Sequence, residues 1–170
     1  LELSFSATAK GYGIDKVAQL LESHSVTNYM VEIGGELRIA GEKPNNQDWK
    51  IAIEQPDAAP GERKVHRVLS PGTNGIATSG DYRIFYKMDG EIYTHLIDPV
   101  NGMPIKHDLV SVTVLHPSAM TADGLATALT VMGMEKAQAY AQQHDLPVYL
   151  IGKSKDGLVT YSSPAFKPYL

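Results

Sequence analysis

The order of its segments predicts an α+β fold: a largely antiparallel sheet with helices packed on it. Three observations carry this. Strand-like stretches follow one another in a long run, and helical periodicity is grouped near the two ends instead of alternating with them. Asp-Gly pairs, Asp89-Gly90 and Asp156-Gly157, separate strand-like stretches where a tight hairpin turn requires positive φ. A doubly wound parallel sheet would alternate strand and helix throughout, and this sequence does not.

Taken in order, Leu1 to Phe5 alternates apolar and polar residues as a strand does, with no initiator Met and no signal segment. A strand at residue 1 suggests that the sequence starts inside a fold. Ala9-Lys10-Gly11-Tyr12-Gly13 is punctuated by glycine. Ile14, Val17, Ala18 and Leu21 then recur at helical spacing, which predicts a helix to about His24. Tyr29–Ile33 and Glu36–Ala40 read as strands broken by Gly34-Gly35. Trp49, Ile51 and Ile53 alternate with polar or small residues in a half-buried strand. Gln55 to Arg63 is a Pro/Gly/Asp loop, Val65–Leu69 a short strand, and Ser70 to Gly75 another loop. Tyr82–Met88 and Glu91–Ile97 form the Asp89-Gly90 hairpin, and Asp98 to Pro104 is a turn-rich loop. Leu109–Leu115 is a strand. Ala122, Leu125, Ala126 and Leu129 share one face of a helix that Gly133 ends. A further helix runs from about Glu135 to His144, and Val148–Gly152 with Leu158–Tyr161 makes the last hairpin.

The composition narrows the function classes. At 170 residues the chain is about one domain, 43% hydrophobic and 20% charged, so it can bury a core. A net charge of −4 argues against nucleic acid as the main partner, because a surface that tracks phosphates is basic. No window is apolar enough to span a membrane. The absence of cysteine excludes disulfides, thiolate metal sites and Cys nucleophiles.

Four polar clusters are candidates for chemistry. In Ala7-Thr8-Ala9-Lys10-Gly11-Tyr12, a turn entering a helix can present amides and a lysine to an anion, or can simply be a turn with a surface lysine. Ile76-Ala77-Thr78-Ser79-Gly80-Asp81-Tyr82 is small and hydroxylated, suited either to close ligand approach or to a connecting loop. In Thr94-His95-Leu96-Ile97-Asp98-Pro99, His95 is a candidate proton carrier or phosphate ligand, or a structural histidine, and Asp98 most simply caps a turn. His24, His66, His116 and His144 read as surface or packing residues. In Thr121-Ala122-Asp123-Gly124-Leu125-Ala126-Thr127, Asp123 and Thr127 project from one helical face. A carboxylate and a hydroxyl suit a hard cation such as Mg²⁺, and equally an N-terminal helical carboxylate beside a packed threonine.

In series these strings resemble the ApbE family, flavin transferases that use FAD to attach FMN to a protein threonine. The resemblance rests on Ala9-Lys10-Gly11-Tyr12-Gly13-Ile14-Asp15, Val31-Glu32-Ile33-Gly34-Gly35-Glu36, Ala77-Thr78-Ser79-Gly80-Asp81-Tyr82, His95-Leu96-Ile97-Asp98-Pro99-Val100-Asn101-Gly102 and Thr121 to Leu129. It implies that Asp123, Thr127 and the carbonyl of Ala7 bind Mg²⁺. It implies that Lys10, Thr78 and Ile97 contact FAD, the substrate, and that His95 serves the transfer step. Ser4 stands where the family usually has an aspartate that contacts the flavin nucleotide; it brings a hydroxyl and no charge. Asp15, Gly34 and Gly35 read as architectural. The implied products are a flavinylated acceptor protein and AMP. Water as the attacking group would make the reaction an FAD diphosphatase giving FMN and AMP, and the remaining alternative is a flavin- or metal-binding module without turnover. The resemblance also implies that residues 1–170 are the C-terminal portion of the family domain. The N-terminal portion would carry an export signal and a lipoprotein anchor, placing the protein on the periplasmic side of the inner membrane.

Overall fold

A computed structural model describes residues 4–58, 62, 64–80, 85–88 and 91–170. Its centre is a six-stranded sheet in the order β1-β2-β5-β8-β9-β10, antiparallel at every pairing. The strands are β1 (Tyr29–Ile33), β2 (Glu36–Ala40), β5 (Asn74–Gly80), β8 (Leu109–His116), β9 (Val148–Ser154) and β10 (Gly157–Ser162). Two separate hairpins complete the strands: β3 (Ile51–Glu54) with β4 (Val65–Leu69), and β6 (Phe85–Met88) with β7 (Glu91–Thr94). The helices are α1 (Ala9–Ser23), α2 (Ala119–Met132) and α3 (Met134–Gln143), and Pro164–Tyr169 forms a terminal 3₁₀ turn.

The predicted α+β class, with an antiparallel sheet, is the one observed. Strand β8 is buried along nearly all its length because both faces are covered. On one face Leu109, Val112 and Val114 pack with Ala122, Ala126 and Leu129 of α2 and with Ala137 and Ala141 of α3. On the other, Val110 and Leu115 pack with Ile53, Leu69 and Phe166, from the β3–β4 hairpin and the terminal turn. A register irregularity against β9 between Leu109 and Ser111 lets Val110 and Val112 serve opposite faces despite their even spacing. Burying side chains of this size from both sides of one strand, at about 1.5–3 kcal/mol each, makes β8 the spine of the fold. The Gly34-Gly35 turn between β1 and β2 has φ of +62° and +102°, the positive pair that a two-residue hairpin loop demands.

Three expectations are corrected. Ser4 and Phe5 are exposed and not in a strand, and Leu1–Leu3 lie outside the described residues. Helix α1 begins at Ala9, so Gly11 and Gly13 lie within it; Gly11, Ile14, Asp15 and Ala18 form its buried stripe while Val17 faces solvent. Asn74 to Gly80, read as loop, is β5, at the heart of the sheet. Small residues are required there: a Cβ on Gly75 would lie 2.6 Å from the backbone of Ala119. The Asp89-Gly90 turn, Asp81, Tyr82 and much of the Gln55–Arg63 loop fall outside the described residues. Among those described, no helix is long and apolar enough to cross a membrane.

Candidate functional site

Helices α1 and α2 meet at their N-termini. The approach is so close that a Cβ on Gly11 would lie 2.4 Å from the carbonyl oxygen of Ala119, so only glycine fits. Each helix supplies a carboxylate to the other's first turn. Asp123 Oδ2 accepts the amide of Gly11 at 3.0 Å. In return, Asp15 Oδ1 accepts the amide of Ala119 at 3.0 Å, and Asp15 Oδ2 accepts Met120 N at 3.1 Å and Ser118 Oγ at 2.7 Å. Ser118 Oγ accepts from Thr121 N, and its carbonyl accepts from Ala122 N. All four amides that open α2 are thereby satisfied.

Asp123 sits in a charged group assembled from three elements. Lys10, on α1, pairs with Glu36 Oε2, on β2, at 2.7 Å. Glu36 and Asp123 are both almost wholly buried, at 4% and 5% exposure. Burial pushes the Glu36 carboxyl above its usual range, Lys10 opposes this, and the charge of Asp123 adds to the rise. Burial likewise pushes Asp123 up, against the Gly11 amide and Lys10. Among the described residues, Lys10 is the one cation set against these two buried carboxyls.

That balance, with the donors around it, bears on a cation. A Cβ on Gly124 would meet Thr8 Cγ2 at 3.1 Å, so the turn containing Ala7 and Thr8 abuts α2 one residue past Asp123. Thr127 lies one turn further along α2 and is partly buried. A carboxylate, a hydroxyl and a carbonyl are hard oxygen donors of the kind Mg²⁺ takes, with waters and phosphate oxygens completing its shell. Among the described residues no three His, Cys, Asp or Glu side chains gather as a metal cluster, and this donor set contains only one of those types. In donor chemistry, the carboxylate of Asp123, the hydroxyl of Thr127 and a backbone carbonyl from the Ala7–Thr8 turn suit the cation.

Across the sheet from α2, against the β3–β4 hairpin, lies a cavity of about 400 Å³, within the size range of small-molecule sites. Its wall includes Leu37, Ile53, Ile76 and the cross-strand pair Thr78–Thr113, whose hydroxyls bond at 2.9 Å. Gly34 lines the cavity and also faces Lys10, because a Cβ there would lie 3.2 Å from Lys10 Cδ. Cavity and charged group therefore share Gly34 as a neighbour.

The structure thus brings Lys10 and Asp123 together and sets Thr78 in the cavity across the sheet. Ser4 lies apart, exposed and bonded to Ser6 Oγ at 2.9 Å. His95 and Ile97 are exposed, in the segment after β7. That segment is tied by its own bonds: Asp98 accepts from Val100 N and Asn101 Nδ2, and Ile105 N donates to Leu96 O at 3.0 Å. Asp98 is the turn cap expected of it. Glu36 and Arg38 were not singled out from sequence. Their partners lie on distant segments, and the local signals are that Glu36 follows the Gly34-Gly35 turn and closes the Val31–Glu36 string.

Comparisons with known proteins bear on the family and the fold. The profile of the ApbE family matches residues 1–150. The chain is 49% identical to the FAD:protein FMN transferase of Vibrio cholerae over 170 residues, all of this chain and 50% of that protein. It is 49% identical to the Haemophilus influenzae protein of the same name over 165 residues, 97% of this chain and 47% of that one. Among solved structures, the flavin transferase ApbE from Vibrio cholerae superposes with a TM-score of 0.89 at 48% identity, covering 100% of this chain and 53% of that chain. The ApbE protein from Thermotoga maritima does so at 0.86 and 30% identity, covering 99% and 53%. The chain spans about half the length of the curated relatives it matches.

Proposed function

The chain belongs to the ApbE family, and on that premise we propose that the protein carrying it transfers FMN from FAD to a threonine of an acceptor protein, releasing AMP. The observation that carries the reading is Asp123: a carboxylate held in the interior with one amide and, among the described residues, one nearby ammonium.

In this reading Asp123, Thr127 and the Ala7 carbonyl hold Mg²⁺, which supplies charge neutralisation at the FAD diphosphate when bound. Lys10, tethered by Glu36 and 42% exposed at its side chain, offers its ammonium to the same phosphates. The cavity lined by Thr78 takes an apolar or ring portion of the FAD and shields it from water. The acceptor's threonine oxygen attacks the phosphorus on the FMN side. A new P–O bond forms, the bond to the bridging oxygen breaks, and AMP leaves with that oxygen. His95, with Ile97 on the same exposed segment, takes the threonine proton as the two surfaces meet. A lipid-anchored N-terminal portion would hold the protein on the periplasmic side of the inner membrane, and nucleic acid is no part of its partnership.

The test is to incubate the whole protein with FAD, Mg²⁺ and a threonine-bearing acceptor domain and look for flavin fluorescence on the denatured acceptor. A fluorescent band that is lost when the threonine is replaced supports transfer. FMN and AMP released with no labelled acceptor would make the protein a diphosphatase instead. His95→Ala is expected to slow transfer by about 100-fold or more, the usual contribution of a general base.

A further inference from the structure

Asp15 has no place in the chemistry above, yet its carboxylate is the most heavily bonded in the described part of the site. It is 7% exposed and takes four donors, two per oxygen: Arg38 Nη1 at 2.8 Å and Ala119 N on Oδ1, Ser118 Oγ and Met120 N on Oδ2. Arg38 is itself fixed from a second side by Glu22 at 3.1 Å. The three groups of α2 that Asp15 grips belong to its N-cap and first two residues, Ser118 to Met120, and Asp123 follows on the next turn.

From this we infer that Asp15 is a positioning residue for the cation site: it sets the axial position of α2 relative to α1, and so where Asp123 stands relative to Lys10 and the Ala7 carbonyl. The inference rests on the reading of Asp123 as a Mg²⁺ ligand. The lever is short and stiff. Gly11 lies directly against Ala119, so α1 and α2 can slide only if the Asp15 bonds break, and Asp123 Oδ2 is bonded to Gly11 across the same seam. A carboxylate already holding an amide on one oxygen presents its other oxygen in one direction, and that direction is right for a cation only when the seam is in register. Groups that orient a metal ligand in this way typically contribute about 10–100-fold to metal affinity.

The experiment measures Mn²⁺ binding in the absence of FAD, by the loss of the free-ion paramagnetic resonance signal, in the whole protein and in D15N, S118A and D123N. D15N keeps the size of the side chain but turns a donor toward donors. It is expected to weaken Mn²⁺ binding by about 10-fold, at a temperature where circular dichroism shows the native spectrum. S118A, which removes one of the four bonds, is expected to weaken it less and in the same direction. A residue with a merely structural role would lower the melting temperature in EDTA and leave the affinity of the folded protein unchanged. Native affinity in folded D15N, or in S118A where D15N does not fold, overturns the inference. If wild-type protein binds no Mn²⁺, or D123N binds as wild type does, the Mg²⁺ reading itself fails, and that result is distinct because it does not depend on Asp15.

Discussion

Asp15 and Asp123 are both buried between α1 and α2, and each accepts a backbone amide of the opposite helix, yet their surroundings move them in opposite directions. For Asp15 burial works to raise the carboxyl, but Arg38, Ser118 and the amides of Met120 and Ala119 outweigh it and hold it below the ordinary value. For Asp123 the single Gly11 amide and Lys10 do not outweigh burial, and the carboxyl rises. A saturated carboxylate is a joint and has no use for a further cation. An under-supplied one, in the same seam, is where a cation relieves the most strain. The same residue type, on the same helix pair, is thereby held low or pushed high by the number of its donors.

Four changes would break or sharpen that contrast. Asp15→Ala strands two amides and the Ser118 hydroxyl and removes one of the two partners of Arg38; it is expected to destabilise the protein by about 3 kcal/mol, the lower end for a broken buried ion pair because Arg38 keeps Glu22. Denaturant unfolding measures it, and a change below about 1 kcal/mol would remove the joint from the argument. Asp123→Asn is expected to do the reverse. Transfer at limiting Mg²⁺ should fall by about 100-fold, at or above the effect of outer groups around a metal, while the melting temperature in EDTA rises because an under-paired buried charge is gone. A lower melting temperature in EDTA would mean that Asp123 is a joint after all. Gly11→Ala drives a methyl group into the Ala119 backbone and is expected to cost about 1–3 kcal/mol. It should also weaken Mn²⁺ binding, and wild-type binding would show that the seam's register does not matter. The smallest effect is in acid. A depressed carboxyl contributes stability that is complete above its unfolded value, near pH 4, and is lost as pH falls through its folded value. The difference in unfolding free energy between wild type and D15N is therefore expected to be flat from about pH 7 to 5 and to shrink below about pH 4. A difference that grows in acid would contradict the sign.

Much of this was legible in the sequence, for local reasons. Alternation at Ile51 and Ile53, the Gly34-Gly35 break and the Gly133 stop each report one element through residues adjacent in the chain. Asp123 and Thr127 were legible because helical spacing places both on one face. What escaped depended on distant segments. Strand β5 reads as loop because Gly75 is selected by the close backbone of Ala119, not by strand propensity. The start of α1 was misplaced for the same reason: Gly11 is a poor helix former that the contact with α2 requires. Glu36 and Arg38 have meaning only through Lys10 and Asp15, which lie across the α1–β2 packing.

The four bonds that clasp α1 to α2 join Gly11 to Asp123 and Asp15 to Ser118, Ala119 and Met120, spans of 112, 103, 104 and 105 residues. Closing a loop of that length costs about 4 kcal/mol of chain entropy before any contact offsets it. The sheet must bring the two ends together first, since β5 and β8 lie between them in sequence and carry α2 toward α1. During synthesis α1 emerges with Gly11 uncapped, and its partner arrives only after more than a hundred further residues have left the ribosome. The α1–α2 seam is therefore expected among the last features to assemble, and any ligand that needs both helices would report that the sheet was already in place.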